Sequence, residues 1–250
     1  MSPRIISQSD FLNRELELIH LARDLVEKES LTTLTIDKMV AESNYSKGTI
    51  YKHFMSKEDL FMAICNVCIK EIQTMFNRAL EFNGNSRERI LAVMVSYVIW
   101  AKLHPSQLFS VLSAHSPNVV ACCSDARNET HHQSEIELMA LMNGEIEKAI
   151  TAGDLQLPKY LCFSQITFAL WSSSWGAMAL IMSKSECSNL GPMVIERESL
   201  TNTNLVLDGL NWKPLSKDWD YNQSIKKIAF EIFEPEIQQL EQMKNPFIYI

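Results

Sequence analysis

The stretch from Thr35 to Phe61, TIDKMVAESNYSKGTIYKHFMSKEDLF, constrains the fold of this chain more than any other. Ile36, Met39 and Val40 would give a first short helix one apolar edge at helical spacing. Glu42-Ser43-Asn44-Tyr45 then interrupts this pattern, and asparagine tolerates the left-handed conformation that a tight turn can use. The pattern predicts two short helices joined by a tight turn.

The second of these helices is too polar to be mainly core. Ser46 can cap it, and the run Lys47–His53 mixes hydrogen-bond donors, cations and an aromatic ring. A helix that exposes a polar N-terminal half has the geometry that enters the major groove of DNA. We therefore predict double-stranded DNA as a partner. The predicted DNA-binding residues are Thr35, Ser46, Lys47, Gly48, Thr49, Tyr51, Lys52, His53 and Lys57.

These residues have different expected roles. Small side chains at Gly48 and Thr49 allow a close approach to DNA, and lysines neutralise phosphates. Tyr51 and His53 can donate hydrogen bonds to phosphate oxygens. Ser56-Lys57-Glu58-Asp59 forms a capping box that starts a third helix, and it places Lys57 where free backbone N–H groups favour a phosphate.

The order TIDKMVAES, SKGTIYKHF and SKEDLF resembles the DNA-binding domain of the TetR family of bacterial transcriptional regulators, over roughly residues 10–65. Two positions depart from the family pattern, because glycines usually stand where this chain has Ser30 and Asn44. The resemblance implies an all-α fold, with an N-terminal three-helix helix-turn-helix DNA-binding domain (1–55) and a larger C-terminal helical ligand-binding and dimerisation domain (56–250). It also implies a homodimer that binds an operator and responds to a small-molecule effector.

Composition and charge limit the kinds of function that this chain can have. The formal net charge of −7 argues against indiscriminate binding of nucleic acid, yet it leaves room for a local basic site. Residues 37–57 supply such a site, with four lysines against two acidic residues. We find no glycine-rich phosphate loop, nucleophile elbow or paired metal motif, so we expect neither an enzyme nor a bound cofactor.

The six cysteines fit a reduced, cytoplasmic protein. Met1–Asp10 lacks the long apolar run of a signal peptide. Cys65 and Cys68 form a C-x-x-C, but they lie on the apolar stripe of the third helix and are expected in the core. A zinc or copper-like site is an alternative, although its spacing matches no standard pattern and we assign no metal. Its candidate ligands are His115, Cys122, Cys123, His131 and His132.

Beyond the helix-turn-helix, the chain again has helical periodicity, and Ser116-Pro117-Asn118 is expected to break it. The predicted longer helices are Asp10–Glu29, Ser56–Phe82, Arg87–Leu103, Pro105–His115, Asn128–Ala152, Leu157–Lys184, Leu200–Leu210, Ser224–Phe233 and Pro235–Met243.

Leu157–Lys184 is the most apolar segment. Serine and glutamine residues interrupt it, so we predict no membrane span. A helix that is apolar over so much of its circumference is buried on two sides. One side can face its own domain and the other a second copy, and the resemblance implies a four-helix dimer interface that would include Leu200–Leu210.

The effector and the exact function stay open at this stage. The residues predicted to line an effector pocket favour an apolar or aromatic molecule over a highly charged one. These residues are Trp100, Phe109, His115, Met139, Phe168, Trp171 and Trp175. We predict a dimeric repressor that this molecule releases from a palindromic operator, with activation also open. The alternative is a DNA-bound structural or interaction protein without an inducer. The sequence assigns no role to the C-terminal extension 211–250.

Overall fold

The computed structural model describes residues 7–183 and 192–248, and within these residues it contains helices but no strand. The predicted all-α fold is therefore confirmed. A short 3₁₀ turn, Leu31–Thr33, follows the first helix. The α-helices are α1 (Gln8–Lys28), α2 (Ile36–Glu42), α3 (Lys47–Ile50), α4 (Lys57–Leu80), α5 (Ser86–Leu103), α6 (Pro105–Ser113), α7 (Pro117–Ala121), α8 (Asp125–Ala152), α9 (Phe163–Met182), α10 (Ile195–Gly209), α11 (Tyr221–Ile232) and α12 (Glu234–Gln242). In this part of the chain, no helix has the length and apolar character needed to cross a membrane.

Some predicted helix ends differ from the structure. The helix predicted from Leu157 begins only at Phe163, and its predicted end at Lys184 lies outside the described residues. The expected break near Ser116 is present, because α6 ends at Ser113 and a separate helix, α7, begins at Pro117. The Ser116 hydroxyl caps α7 by accepting a hydrogen bond from the Val119 N–H. Proline is tolerated in the first turn of a helix, where its missing N–H has no intrahelical partner to lose.

The chain forms two compact units. The first comprises the residues up to Ile69 together with His104–Ser134, and the second comprises Lys70–Leu103 and the chain from Glu135 onward. The predicted boundary at residue 55 separates two domains by their expected functions, whereas the two units described here are defined by packing. This domain boundary stays a prediction.

Three cysteines of the first unit, Cys65, Cys68 and Cys123, are buried. Cys65 and Cys123 pack with apolar residues of α4 and α7, among them Phe61 and Val119. Burial raises the pKa of the Cys65 thiol well above its ordinary value and that of Cys123 to about 11, so both stay protonated at neutral pH. Cys187 lies outside the described residues.

The second unit is built around α5, whose residues are all buried except Arg89. Helices α9 and α10 pack against it, and so do α11 and α12 of the C-terminal extension. Trp212 and Phe233, both from the extension, are fully buried. Because α5 is buried over its whole circumference, the extension completes the core of this unit.

Candidate nucleic-acid interface

Two hydroxyl caps define the helix-turn-helix. The Thr35 Oγ1 accepts a hydrogen bond from the Lys38 N–H at 3.2 Å and starts α2. The Ser46 Oγ accepts one from the Thr49 N–H, also at 3.2 Å, and starts α3. Asn44 does not use the left-handed region, since the non-glycine residues with positive φ in the described chain are Asn211 and Lys244.

Most of the predicted DNA-binding residues lie at the surface. Thr49 and Lys57 are partly exposed, and only His53 is buried. The exposed ones are Thr35, Ser46, Lys47, Gly48, Tyr51 and Lys52. The hydroxyls of Ser46 and Thr49 are 2.9 Å apart, so they bond to each other as well as facing solvent.

Packing inside the protein does not require a glycine at position 48. A Cβ added at this position would meet nothing closer than the Ser46 Oγ at 4.0 Å. The backbone there is helical and the residue is exposed, so neither packing nor conformation demands glycine. The missing side chain therefore leaves space on the outer face of α3.

The structure corrects the role predicted for His53. Its side chain is only 1% exposed and stacks on Phe11, with the ring centroids 4.0 Å apart. Its Nδ1 lies 3.3 Å from the Glu15 Oε2. Burial lowers the pKa of His53, while the bond to Glu15 acts in the opposite direction. A neutral, buried imidazole does not reach a phosphate, so His53 supports the interface from inside.

Arg127, at the start of α8, holds the same region together, and sequence reasoning missed it. Its Nη2 donates to the Glu15 Oε1 at 3.0 Å and to the His53 carbonyl oxygen at 2.9 Å. Its Nε lies 3.2 Å from the Asp59 Oδ1, and its guanidinium lies over the Phe54 ring. One side chain thus ties α1 and α4 to the residues that follow α3. No local signal marks it, because its partners lie about 70 to 110 positions away.

Half of the predicted capping box at the start of α4 is present. The Ser56 Oγ accepts the Asp59 N–H at 2.9 Å, but the Asp59 Oδ2 accepts the N–H of Met55, at 3.0 Å, rather than that of Ser56. Burial alone would raise the pKa of Asp59. Hydrogen bonds from the backbone of Ser124 and Met55, with the charge of Arg127, outweigh burial and lower it. Asp59 is therefore a fixed anion.

The lysines around α3 differ in their partners. Lys47 pairs with Asp37 at 2.7 Å, and the hydrogen bond in this pair raises the pKa of Lys47. Lys38 pairs with Glu29. Among the described residues, no carboxylate lies within ion-pair distance of the exposed Lys52. Lys52 is thus an uncompensated positive charge beside α3.

The seven predicted effector residues are divided between the two compact units. Phe109 and His115 belong to the first unit and the other five to the second. Trp100 is buried, and Phe168 lies at the surface with its ring centroid 6.1 Å from that of Trp171. Tyr97, which sequence reasoning did not single out, connects this group. Its ring stacks on Trp100 with the ring centroids 6.5 Å apart, and the nearby Trp171 lowers its pKa against the effect of burial.

The candidate metal ligands are also only partly brought together. The rings of His115 and His131 lie 5.6 Å apart. Cys123 instead donates from its Sγ to the Glu58 carbonyl oxygen at 3.2 Å, within the apolar core. His132 is exposed. The five residues predicted as alternative ligands therefore do not form one cluster.

Comparisons with known proteins agree with this geometry. Residues 18–64 match the model of bacterial regulatory proteins of the tetR family. An uncharacterized HTH-type transcriptional regulator of Mycobacterium bovis is 26% identical over 174 residues, which are 66% of this chain and 83% of that protein. The crystal structure of the TetR family transcriptional regulator PfmR from Thermus thermophilus has a TM-score of 0.57 at 16% identity, covering 77% of this chain and 98% of that one.

A second kind of relative is the nucleoid occlusion factor SlmA of Vibrio campbellii. It is 29% identical over 105 residues, which are 42% of this chain. The match spans 53% of that protein, so this chain corresponds to about half the length of this relative.

Proposed function

The N-terminal domain of this chain belongs to the tetR family of bacterial regulatory proteins, and from that premise we propose that the protein is a homodimeric repressor of a palindromic operator. It acts in the cytoplasm and leaves the operator when it binds a small apolar or aromatic molecule. The observation that carries the proposal is the outer face of α3, which is exposed and polar and which has a glycine that no internal contact requires.

The proposed contacts sort into two kinds. Lys52 and Lys47 neutralise phosphates, and Lys47 exchanges Asp37 for a phosphate on binding. Thr49, on the exposed side of α3, reads base edges, whereas the hydroxyl of Tyr51, at the end of α3, donates to a phosphate oxygen. Contacts of the first kind set affinity and its salt dependence, whereas contacts of the second kind set sequence preference.

The homodimer forms through α9 and α10. These helices pack against each other, with the Ser174 and Thr203 hydroxyls 3.3 Å apart. The outer face of α9 keeps large apolar side chains in solvent, since Phe168 is 62% exposed and Leu180 58%. An exposed apolar face of this kind is typical of a surface that a partner covers.

The effector binds in the second unit beside Tyr97, Trp100 and Trp171. Burial raises the pKa of Tyr97 to about 12, while the nearby Trp171 acts in the opposite direction. A neutral phenol among indole rings suits an aromatic or apolar molecule with one polar group. Phe109 and His115 are not part of this proposal, because they belong to the other compact unit.

Selection of bound DNA from a random pool tests the proposal. We expect the purified protein at physiological salt to enrich an inverted repeat with half-sites spaced for a dimer. A candidate effector should then release this DNA without unfolding the protein. Enrichment of a single, unrepeated half-site would contradict the homodimer, and enrichment of no motif would contradict the operator.

The similarity to the nucleoid occlusion factor supports a second candidate function. In this reading the protein keeps the same DNA-binding domain but acts as a DNA-bound structural or interaction protein. It would occupy many chromosomal sites, and no small molecule would release it. Genome-wide occupancy separates the two, because a repressor concentrates at a few promoters.

A further inference from the structure

A cavity in the second unit lies away from the aromatic residues proposed for the effector. It has a volume of about 400 Å³, which is in the range of small-molecule sites. One wall is the face of α10 that carries Thr201, Leu205 and Asp208, and the other is the segment from Ser216 to Asn222 that leads into α11. The C-terminal extension therefore supplies half of this cavity.

The charges around the cavity are mostly negative. Asp208 and Asp220 line it, and no lysine or arginine is among its lining residues. The buried Arg87 pairs with Asp208 from the interior at 2.6 Å. The Glu88 carboxylate accepts a hydrogen bond from the Trp219 indole at 3.2 Å, although Glu88 does not line the cavity. Arg87 already pairs with Asp208, so Asp220 is the lining carboxylate that is left to attract a cation.

The aromatic lining is fixed in place by hydrogen bonds. The Trp219 Nε1 donates to Glu88 and also to the Ser224 Oγ at 3.1 Å, yet 45% of Trp219 is exposed. The Tyr221 hydroxyl donates to the Pro214 carbonyl oxygen at 2.6 Å. On Tyr221 the protein already binds a cation, since the Arg87 guanidinium lies 4.5 Å from its ring centroid. Trp219 offers a second aromatic ring of the kind that attracts cations most strongly.

We propose that this cavity binds a small organic cation, an ammonium or quaternary ammonium group. The cation lies against the Trp219 ring, and the carboxylate of Asp220 balances its charge, while Asp208 stays paired with Arg87. Asn204 and Thr201 supply polar groups for the remainder of the ligand. A rigid aromatic side chain beside carboxylates is the arrangement by which proteins recognise such groups. The inference does not rest on operator binding or on the proposed effector.

The test uses the full chain with 5-fluorotryptophan at its five tryptophan positions. Fluorine NMR then follows the Trp219 resonance, which Trp219→Phe identifies by its disappearance. The probe is choline, and its neutral isostere 3,3-dimethyl-1-butanol is the control. We expect choline to shift the Trp219 resonance saturably and the isostere to bind about tenfold more weakly or not at all. Equal binding of the two compounds, or no saturable shift with choline, would overturn the proposal.

Two further variants test the charge. Asp220 caps α11 by accepting the N–H groups of Asn222 and Gln223, both at 3.1 Å. Asparagine caps a helix as well as aspartate does, so Asp220→Asn removes the charge and keeps the fold. We expect choline affinity to fall by about threefold, as for loss of a partly exposed charge pair. Asp218→Asn is the matched control, because Asp218 is exposed in the same segment but does not line the cavity. An equal loss in both variants would contradict a specific site.

Discussion

Lys47 and Arg87 are both cations paired with an aspartate, yet the two pairs lie in opposite surroundings. The Lys47 pair with Asp37 is exposed at the start of α3, and water screens it. The Arg87 side chain is fully buried at the start of α5 and is bonded to Asp208 and several other groups. An exposed pair can exchange its carboxylate for a phosphate, whereas a buried cation cannot lose its partners without destabilising the fold. The Lys47 pair can therefore exchange its partner at the surface, whereas the Arg87 pair holds the helices of the second unit together.

The largest effect is expected at Arg87. Its Nη1 donates to the Asp208 Oδ1 at 2.6 Å and to the Trp212 carbonyl oxygen at 2.8 Å, and its Nη2 donates to the Ser216 Oγ at 2.9 Å. Arg87→Met leaves these acceptors without a donor, so we expect the free energy of unfolding to fall by about 3–5 kcal/mol. Urea denaturation followed by circular dichroism measures it. Arg87→Lys keeps the charge and should lose less, and a loss below about 1 kcal/mol in Arg87→Met would contradict the role of this cluster.

Lys102, near the end of α5, is expected to have the next largest effect. It pairs with the buried Glu196 and donates to the Pro246 carbonyl oxygen at 2.7 Å. Lys102→Met leaves the buried Glu196 carboxylate without this cation, so we expect the free energy of unfolding to fall by about 3 kcal/mol. Adding Glu196→Gln removes that charge but keeps an acceptor for the Ile248 N–H, so the double variant should recover part of the loss. A double variant that is less stable than Lys102→Met would argue that the charge itself does not matter.

The contrast between the two regions also explains what the sequence could and could not predict. The helix-turn-helix is a local structure, because the Thr35, Ser46 and Ser56 caps act within three residues. Sequence pattern therefore predicted it closely. His53 was misread because its burial depends on Phe11 and on Arg127, which lie far away along the chain.

The burial of the cations of α5 also depends on distant parts of the chain, so it could not be predicted from the sequence either. The sequence of α5 shows a helix, but it does not show that α11 and α12 cover the side left open by α9 and α10. Arg87 meets partners more than a hundred residues away, and no periodicity carries that information.

A buried anion in the first unit should behave like the buried cations of the second. The folded-state pKa of Asp59 lies below its ordinary value, so its stabilisation is full above the ordinary carboxyl pKa and is lost as the pH falls through the folded value. At pH 7 we expect Asp59→Asn to lower the free energy of unfolding by about 2 kcal/mol. Denaturation at a series of pH values should show this difference shrinking as the medium becomes acidic. A difference that stays constant with pH would contradict a charge-based role.

Gly48→Ala should separate binding from stability. Alanine fits the structure without a contact shorter than 4.0 Å and favours a helix more than glycine does, so we expect unfolding free energy to stay equal or rise by up to about 1 kcal/mol. If α3 lies against DNA, the added methyl group fills the space that the interface needs, and operator affinity should fall roughly tenfold or more. Unchanged affinity would mean that this face of α3 does not approach the DNA. Binding is measured by fluorescence anisotropy with the selected operator.

The smallest effect on the fold is expected at Lys52, which is exposed and has no carboxylate partner among the described residues. Lys52→Ala should leave the denaturation midpoint unchanged, because no internal contact is lost. It should weaken binding to every DNA sequence alike and reduce the slope of log affinity against log salt concentration by about 1, since one phosphate contact is lost. Lys226→Ala, which removes an exposed lysine from α11 in the second unit, should change neither quantity. If both variants lowered the slope equally, net charge rather than position would govern binding. The cations of the helix-turn-helix would then have no role that distinguishes them from any other surface lysine.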